Sequence, residues 1–232
     1  MNRQSAKKKK YYAVKVGRNT GVFDSWDDCK SQVLGYGGAI FKGFEKLEDA
    51  ELFLQDSEEK TIDDTLPFAF IDGSFSQKNN MYGWGGFIST GGDIYIIQGT
   101  GNAEDYMRYR NITGEVRGTI DVIKHAIALG LPEINLYYDY SGIEQWANNN
   151  WKCSTALSRF YQQYYLSHKD RVIIHFVHVK GHTGIEGNEI ADILAKEAVG
   201  AQIRKKDKAL LEEFREKGLT LTADGLAQRG IV

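Results

Sequence analysis

Residues 67–75 read PFAFIDGSF, an apolar run from Phe68 to Ile71 that ends on a carboxylate, Asp72, and a glycine, Gly73. Four apolar residues in succession, with a proline before them and turn formers after, fit a strand buried on both faces. An acid at the end of such a strand is costly unless it is paired or holds a cation.

Downstream, YGWGGFIST (82–90) and DIYIIQGTG (93–101) read as two further strands joined by a hairpin turn at Gly91-Gly92. TGEVRGTIDVIKHAIALG (113–130) then spaces Val116, Ile120, Ile123 and Ile127 as a helix, capped by Thr113 and stopped by Gly130 and Pro132. This reading puts Glu115 in the helix's first turn. INLYYD (134–139) is a short strand ending on Asp139, and GIEQWANN (142–149) and TALSRFYQQYYLSH (155–168) are helical. RVIIHFVHV (171–179) is a fifth strand, and IEGNEIADILAKEAVG (185–200) is a closing helix with Asp192 beside Ile190, Ile193 and Leu194. The order βββαβααβα describes an α/β domain with a mixed five-stranded sheet flanked by helices.

Asp72, Glu115, Asp139 and Asp192 thus sit where charges are expensive, and no Lys or Arg stands at obvious pairing distance from any of them in the sequence. Taken singly, Glu115 reads equally as a capping-box acid and Asp139 as a turn former. Taken together, the four are most economically explained by a shared cation. An all-oxygen donor set without Cys or His favours Mg²⁺ or Mn²⁺ over Zn²⁺.

The 232 residues are 42% hydrophobic and 26% charged, an ordinary globular composition. No apolar run approaches the roughly 18 residues of a membrane span, and no secretory signal follows the N-terminal bases, so a soluble, cytoplasmic protein is expected. Cys29 and Cys153 lack partners at disulfide-framework or zinc-ligand spacing and are expected to be reduced and structural. A net charge of −2 argues against nucleic-acid binding by bulk positive charge, but that average conceals a partition. Residues 1–46 carry ten Lys/Arg against four Asp/Glu, whereas residues 47–65 carry eight acids against one Lys. The chain accordingly divides into a basic tail (1–10), a small domain (11–54), an acidic linker (55–66), a large domain (67–200) and a C-terminal helical extension (201–232). Leu210, Leu211 and Phe214 give that extension helical spacing, and whether it packs on the large domain or binds a partner stays open.

In the small domain YYAVKV (11–16) and GVF (21–23) form a hairpin, and Asp24, Ser25 or Asp27 caps a helix that Gly35 stops. AIFKGF (39–44) is a third strand, and LEDAELFL (47–54) a second helix with Leu47, Ala50, Leu52 and Phe53 or Leu54 available to pack. Tyr12, Phe23 and Phe44 read as core. Trp26, and Phe41 beside Lys42, read equally as core or as a nucleic-acid stacking surface.

The run from Tyr11 to Phe44 resembles the hybrid-binding domain at the N-terminus of type 1 ribonucleases H and in viroplasmin-like proteins. FIDGS, TGE, YYDYS and VKGHTGIEGNEIAD resemble the catalytic domain of type 1 ribonucleases H across residues 67–199, the last being the most specific because His182, Asn188 and Asp192 keep the family spacing. The resemblance implies a ribonuclease H-like fold preceded by a three-stranded hybrid-binding domain. It implies an endoribonuclease that cuts the RNA strand of an RNA–DNA hybrid with two Mg²⁺ ions, leaving 5′-phosphate and 3′-hydroxyl ends. Asp72, Glu115, Asp139 and Asp192 are the implied metal ligands, with His182 near the attacking water or in product and metal release. Trp26 and Phe41 are implied to stack on DNA sugars and Lys42 to touch phosphate. Arg108, Asn111 and Asn188 are further implied substrate contacts, while Gly73, Ser74 and Ser141 read 2′-hydroxyls. Gly43 and Ile40 depart from a pattern that is often basic there, and Arg110 stands where Thr is frequent. NNNWKCSTALSRFYQQ (148–163) lacks the basic handle of some members. His125, His175 and His178 read as structural. A DNA nuclease or recombinase of the same fold and a non-catalytic hybrid binder are the rival readings; no obligate protein partner is expected.

Overall fold

A computed structural model describes residues 10–36, 39–55, 63, 65–179 and 185–217. The chain divides into two units, Met1–Thr61 and Ile62–Val232.

The first unit is an antiparallel sheet of order β2-β1-β3, built from β1 (Tyr11–Val16), β2 (Gly21–Phe23) and β3 (Ile40–Phe44), with helices α1 (Trp26–Val33) and α2 (Leu47–Gln55). Ser25 caps α1 by accepting from the Asp28 amide, settling which of the three candidate residues does so. Gly35 follows in a left-handed conformation (φ 72°) that stops the helix. Val14, Cys29 and Val33 form the buried core, with Tyr12, Phe23 and Phe41 packed against it. In α2 Ala50 is fully buried; Leu47 and Leu52 are exposed, contrary to the packing expected of them. A domain of this size has too little interior to cover every apolar residue of an amphipathic helix.

The second unit carries a five-stranded sheet of order β6-β5-β4-β7-β8. Its strands are β4 (Phe68–Ser76), β5 (Met81–Ser89), β6 (Ile94–Gly101), β7 (Glu133–Tyr138) and β8 (Ile173–His178). β4 pairs antiparallel with β5 and parallel with β7, so the sheet is mixed, and β4 is its central strand. The helices are α3 (Glu104–Met107), α4 (Asn111–Ala128), α5 (Gly142–Ala147), α6 (Ala156–His168), α7 (Glu186–Ala198) and α8 (Lys205–Lys217). No helix is long and apolar enough to cross a membrane among the described residues.

Strand alternation sends Ala69 and Ile71 into a core with Val116, Ile120 and Ile123 of α4, and Phe70 into a second core with Ile190, Leu194, Leu211 and Phe214. The sheet is therefore covered on both faces, which explains the unbroken apolar run of β4. α8 packs back onto this unit: Phe214 lies against Phe87 with ring centroids 5.0 Å apart.

Two features differ from the sequence reading. α3 is an additional short helix, and Thr113 is not a cap. α4 starts at Asn111, directly after Arg110 turns the chain with φ 51°, and the Thr113 hydroxyl donates to the Tyr106 carbonyl at 2.7 Å. Glu115 consequently lies beyond the first turn of its helix, where a capping-box role is closed to it.

Candidate active site

Asp72 sits in β4, Glu115 in α4 and Asp139 immediately after β7, so three separate elements deliver three carboxylates to one end of the parallel β4–β7 pair. One carboxylate oxygen from each lies within 4.8 Å of the others, close enough for one cation to span. Glycines permit this convergence. A Cβ on Gly73 would strike the Asn111 carbonyl and come within 2.6 Å of the Glu115 nitrogen, and a Cβ on Gly114 would strike the Gly83 carbonyl. α4 thus lies directly on β4 and β5, backbone against backbone, and this contact brings Glu115 beside Asp72.

Burial makes the group electrostatically frustrated. Desolvation, then the charges of Asp139 and Asp192, push Asp72 up to about 7, although the Gly73 amide donates to its Oδ1 at 2.6 Å. Glu115 is fully enclosed; burial first, and then Asp72 and Asp139, hold its carboxyl well above the ordinary carboxylate range. Its Oε2 is buried without a hydrogen-bond partner. Three crowded acids, one with an orphaned oxygen, fit a divalent cation of hard, oxygen-preferring type. Tyr140 next to Asp139 also responds to this charge: burial, and then Glu115, push its phenol up to about 12. Sequence reasoning passed over Tyr140, since a tyrosine after a strand-ending acid carries no distinctive pattern.

Asp192 stands outside the three-carboxylate group, near enough for its charge to raise Asp72. It has a partner that the sequence reading overlooked: Lys196 Nζ lies 2.5 Å from its Oδ2, one helical turn along α7. The expectation that no base adjoins these acids is corrected accordingly. The i,i+4 spacing was present in the sequence and was the signal that could have found it.

Asn188 is buried on α7 with its Oδ1 unpartnered. Ser141 Oγ is 3.4 Å from His178 Nε2, which also lies 3.0 Å from the Asp139 carbonyl, so His178 braces the turn after β7. Ser74 is half-buried in β4, and Asn111 is exposed at the start of α4. Arg108 stacks on Tyr109, its guanidinium 4.7 Å from the ring centroid. His182 and its glycine-flanked loop lie outside the described residues. His175 meets Glu133 at 2.8 Å and His125 the Asp121 carbonyl at 2.8 Å, both structural contacts. In the first unit Trp26 lies between Tyr12 and Phe41, with centroids 5.5 and 5.8 Å away, and remains 43% exposed. Lys42 follows Phe41 on β3, its ammonium 5.9 Å from the Phe44 ring centroid.

Comparison with known proteins settles the lineage. Residues 67–200 match the family model described as RNase H, and residues 10–54 match the Ribonuclease H1 N-terminal domain. The chain belongs to the RNase H family. "Ribonuclease H1" of Mus musculus is 25% identical over 251 aligned residues, covering 81% of this chain and 88% of that protein. "Ribonuclease H" of Saccharomyces cerevisiae is 51% identical over 49 residues, which cover 21% of this chain and 14% of the yeast protein. Among solved structures, RNase H1 from Halobacterium salinarum aligns with a TM-score of 0.46 at 23% identity, covering 58% of this chain and 97% of the archaeal one. The five-stranded mixed sheet with helices on both faces is that expected of an RNase H family member.

Proposed function

We propose that the chain is an endoribonuclease that hydrolyses the RNA strand of RNA–DNA hybrids, leaving 5′-phosphate and 3′-hydroxyl ends. The observation that carries this reading is the convergence of Asp72, Glu115 and Asp139 within 4.8 Å, inside a domain that matches the RNase H family. These three would hold one Mg²⁺, with Mn²⁺ a chemically similar substitute, and Asp192 would help Asp72 hold a second. When bound, the ions supply an activated water on one side of the phosphodiester and charge stabilisation of the leaving oxygen on the other.

The chain's own residues set the conditions for that chemistry. Gly73 lets α4 press on β4, fixing Glu115 against Asp72, while His178 holds the turn that presents Asp139. Gly73, Ser74 and Ser141 are proposed to read 2′-hydroxyls, which distinguish RNA from DNA. Arg108, Asn111 and Asn188 are proposed to contact the hybrid, and His182 to act near the attacking water or in product release. Exposed Trp26 and half-buried Phe41, with Lys42 beside them, offer an aromatic step and a cation for the DNA strand.

The reading is tested by incubating the full chain and Mg²⁺ with matched hybrid, duplex RNA, duplex DNA and single strands, alongside Asp72→Asn. Only the hybrid should be cut, and only by the wild type. Cleavage of duplex DNA would favour the DNA-nuclease reading of the same fold, and binding without any Asp72-dependent cleavage would favour the non-catalytic one.

A further inference from the structure

α8 is fastened to the catalytic unit by one face: Leu211 and Phe214 are buried, with Ile203 and Leu210 packed against the same core. Its bases gather at one end. Arg204, Lys205, Lys206 and Lys208 cluster at the N-terminal end around a single acid, Asp207, whereas Arg215 and Lys217 at the other end stand among Glu212, Glu213 and Glu216. The bases of the last turn suit the helix dipole, but those of the first turn oppose it, since acids are favoured there. Helix stability therefore does not account for the basic N-terminal end.

Its placement does. Arg204 is held above its ordinary value by Asp207 first, and also by the charges of Asp192 and Glu189 in the N-terminal half of α7. At the other end Arg215 pairs with Glu197 near the C-terminus of α7, at 2.6 Å. The basic end of α8 is thus the end nearer Asp192, and Lys205, Lys206 and Lys208 are all exposed there. Elsewhere the catalytic region is poor in cations, residues 66–200 carrying eleven bases against fourteen acids. A polyanionic substrate must still be held against a cluster of carboxylates.

We propose that Lys205, Lys206 and Lys208 form a docking surface for the phosphate backbone of the hybrid, flanking the catalytic end of the domain. This rests on the reading of the chain as a hybrid hydrolase and adds a binding element to it. Within the catalytic unit the C-terminal helix then adds to substrate grip, where the segment between α5 and α6 offers few bases.

The test is hybrid cleavage by the full chain and by the Lys205→Gln/Lys206→Gln/Lys208→Gln variant between about 50 and about 200 mM salt. Each lost phosphate contact removes ~0.9 from the slope of log affinity against log salt for a B-form duplex, so three contacts flatten it by about 2–3. We expect KM to rise most at low salt, the slope to flatten, and the loss to fall on KM. A melting temperature equal to or above the wild type's is expected as well, since the lysines oppose the dipole. An unchanged KM, or a raised KM with an unchanged salt slope, overturns the proposal. Wild-type cleavage in the same runs tests the activity reading separately, and its absence overturns both.

Discussion

Asp72→Asn should abolish activity in Mg²⁺, yet in the absence of divalent ions it should stabilise the catalytic unit. Asp72 is raised from its ordinary 3.8 to about 7, chiefly by burial and then by Asp139 and Asp192. Between those values the folded state binds more protons than the unfolded one, so stability falls as pH rises and the penalty is fully developed above pH 7. At ~1.4 kcal/mol per pH unit, the charged carboxylate costs up to about 4 kcal/mol at pH 8 and about 1–2 kcal/mol at pH 5. Asparagine keeps the shape and carries no charge, and it also relieves Glu115, whose carboxyl Asp72 helps to push up. The variant's advantage should therefore grow by about 2–3 kcal/mol from pH 5 to pH 8, equivalent to roughly 5–10 °C in Tm for a domain of this size. Urea or thermal melts in chelator at the two pH values measure it. Added Mg²⁺ should narrow the gap by binding the wild type preferentially. A difference independent of pH, or a wild type that becomes more stable between pH 5 and pH 8 relative to the variant, refutes the electrostatic reasoning.

Gly73→Ala should cost about 1–3 kcal/mol in urea melts and raise the Mg²⁺ concentration needed for activity, because its Cβ meets the backbone of α4. Gly92, whose added Cβ meets nothing within 4 Å, supplies a nearly neutral Ala control. Trp26→Ala should weaken hybrid binding by about 1–3 kcal/mol in fluorescence anisotropy, since it removes an exposed stacking surface. Removing residues 1–60 should raise KM and reduce processivity on long hybrids while leaving the chemical step intact in single-turnover kinetics; the tethered unit acts through effective concentration.

Most strands and helices were legible because their signals are local: alternation in YYAVKV, an unbroken apolar run in FAFI, glycines closing helices. The meeting of Asp72, Glu115 and Asp139 was legible for a different reason, since a carboxylate set among apolar residues is expensive wherever it occurs. What escaped was non-local. The start of α4 depends on Arg110 adopting a left-handed conformation, which an arginine rarely signals, so Thr113 reads as a cap when it is a buried donor. Gly73 and Gly114 look like loosened strand and helix positions; only the contact of α4 with β4 and β5 explains them, as the approach of Val199 after α7 explains Gly83. Asp192 pairs with Lys196 at a spacing that was visible but was outweighed by the surrounding apolar residues. The first part of the undecided C-terminal extension, α8, packs on the domain because Phe214 finds Phe87, a strand residue far away in sequence.

A hybrid labelled on both strands, cut by the full chain in Mg²⁺ and compared with Asp72→Asn, tests both the choice of strand and the role of the carboxylate. Internal cuts in the RNA strand alone, with 5′-phosphate and 3′-hydroxyl ends, are expected, and an intact hybrid with the variant. Cuts in the DNA strand, or RNA cleavage that survives loss of the Asp72 carboxylate, would contradict the proposed function.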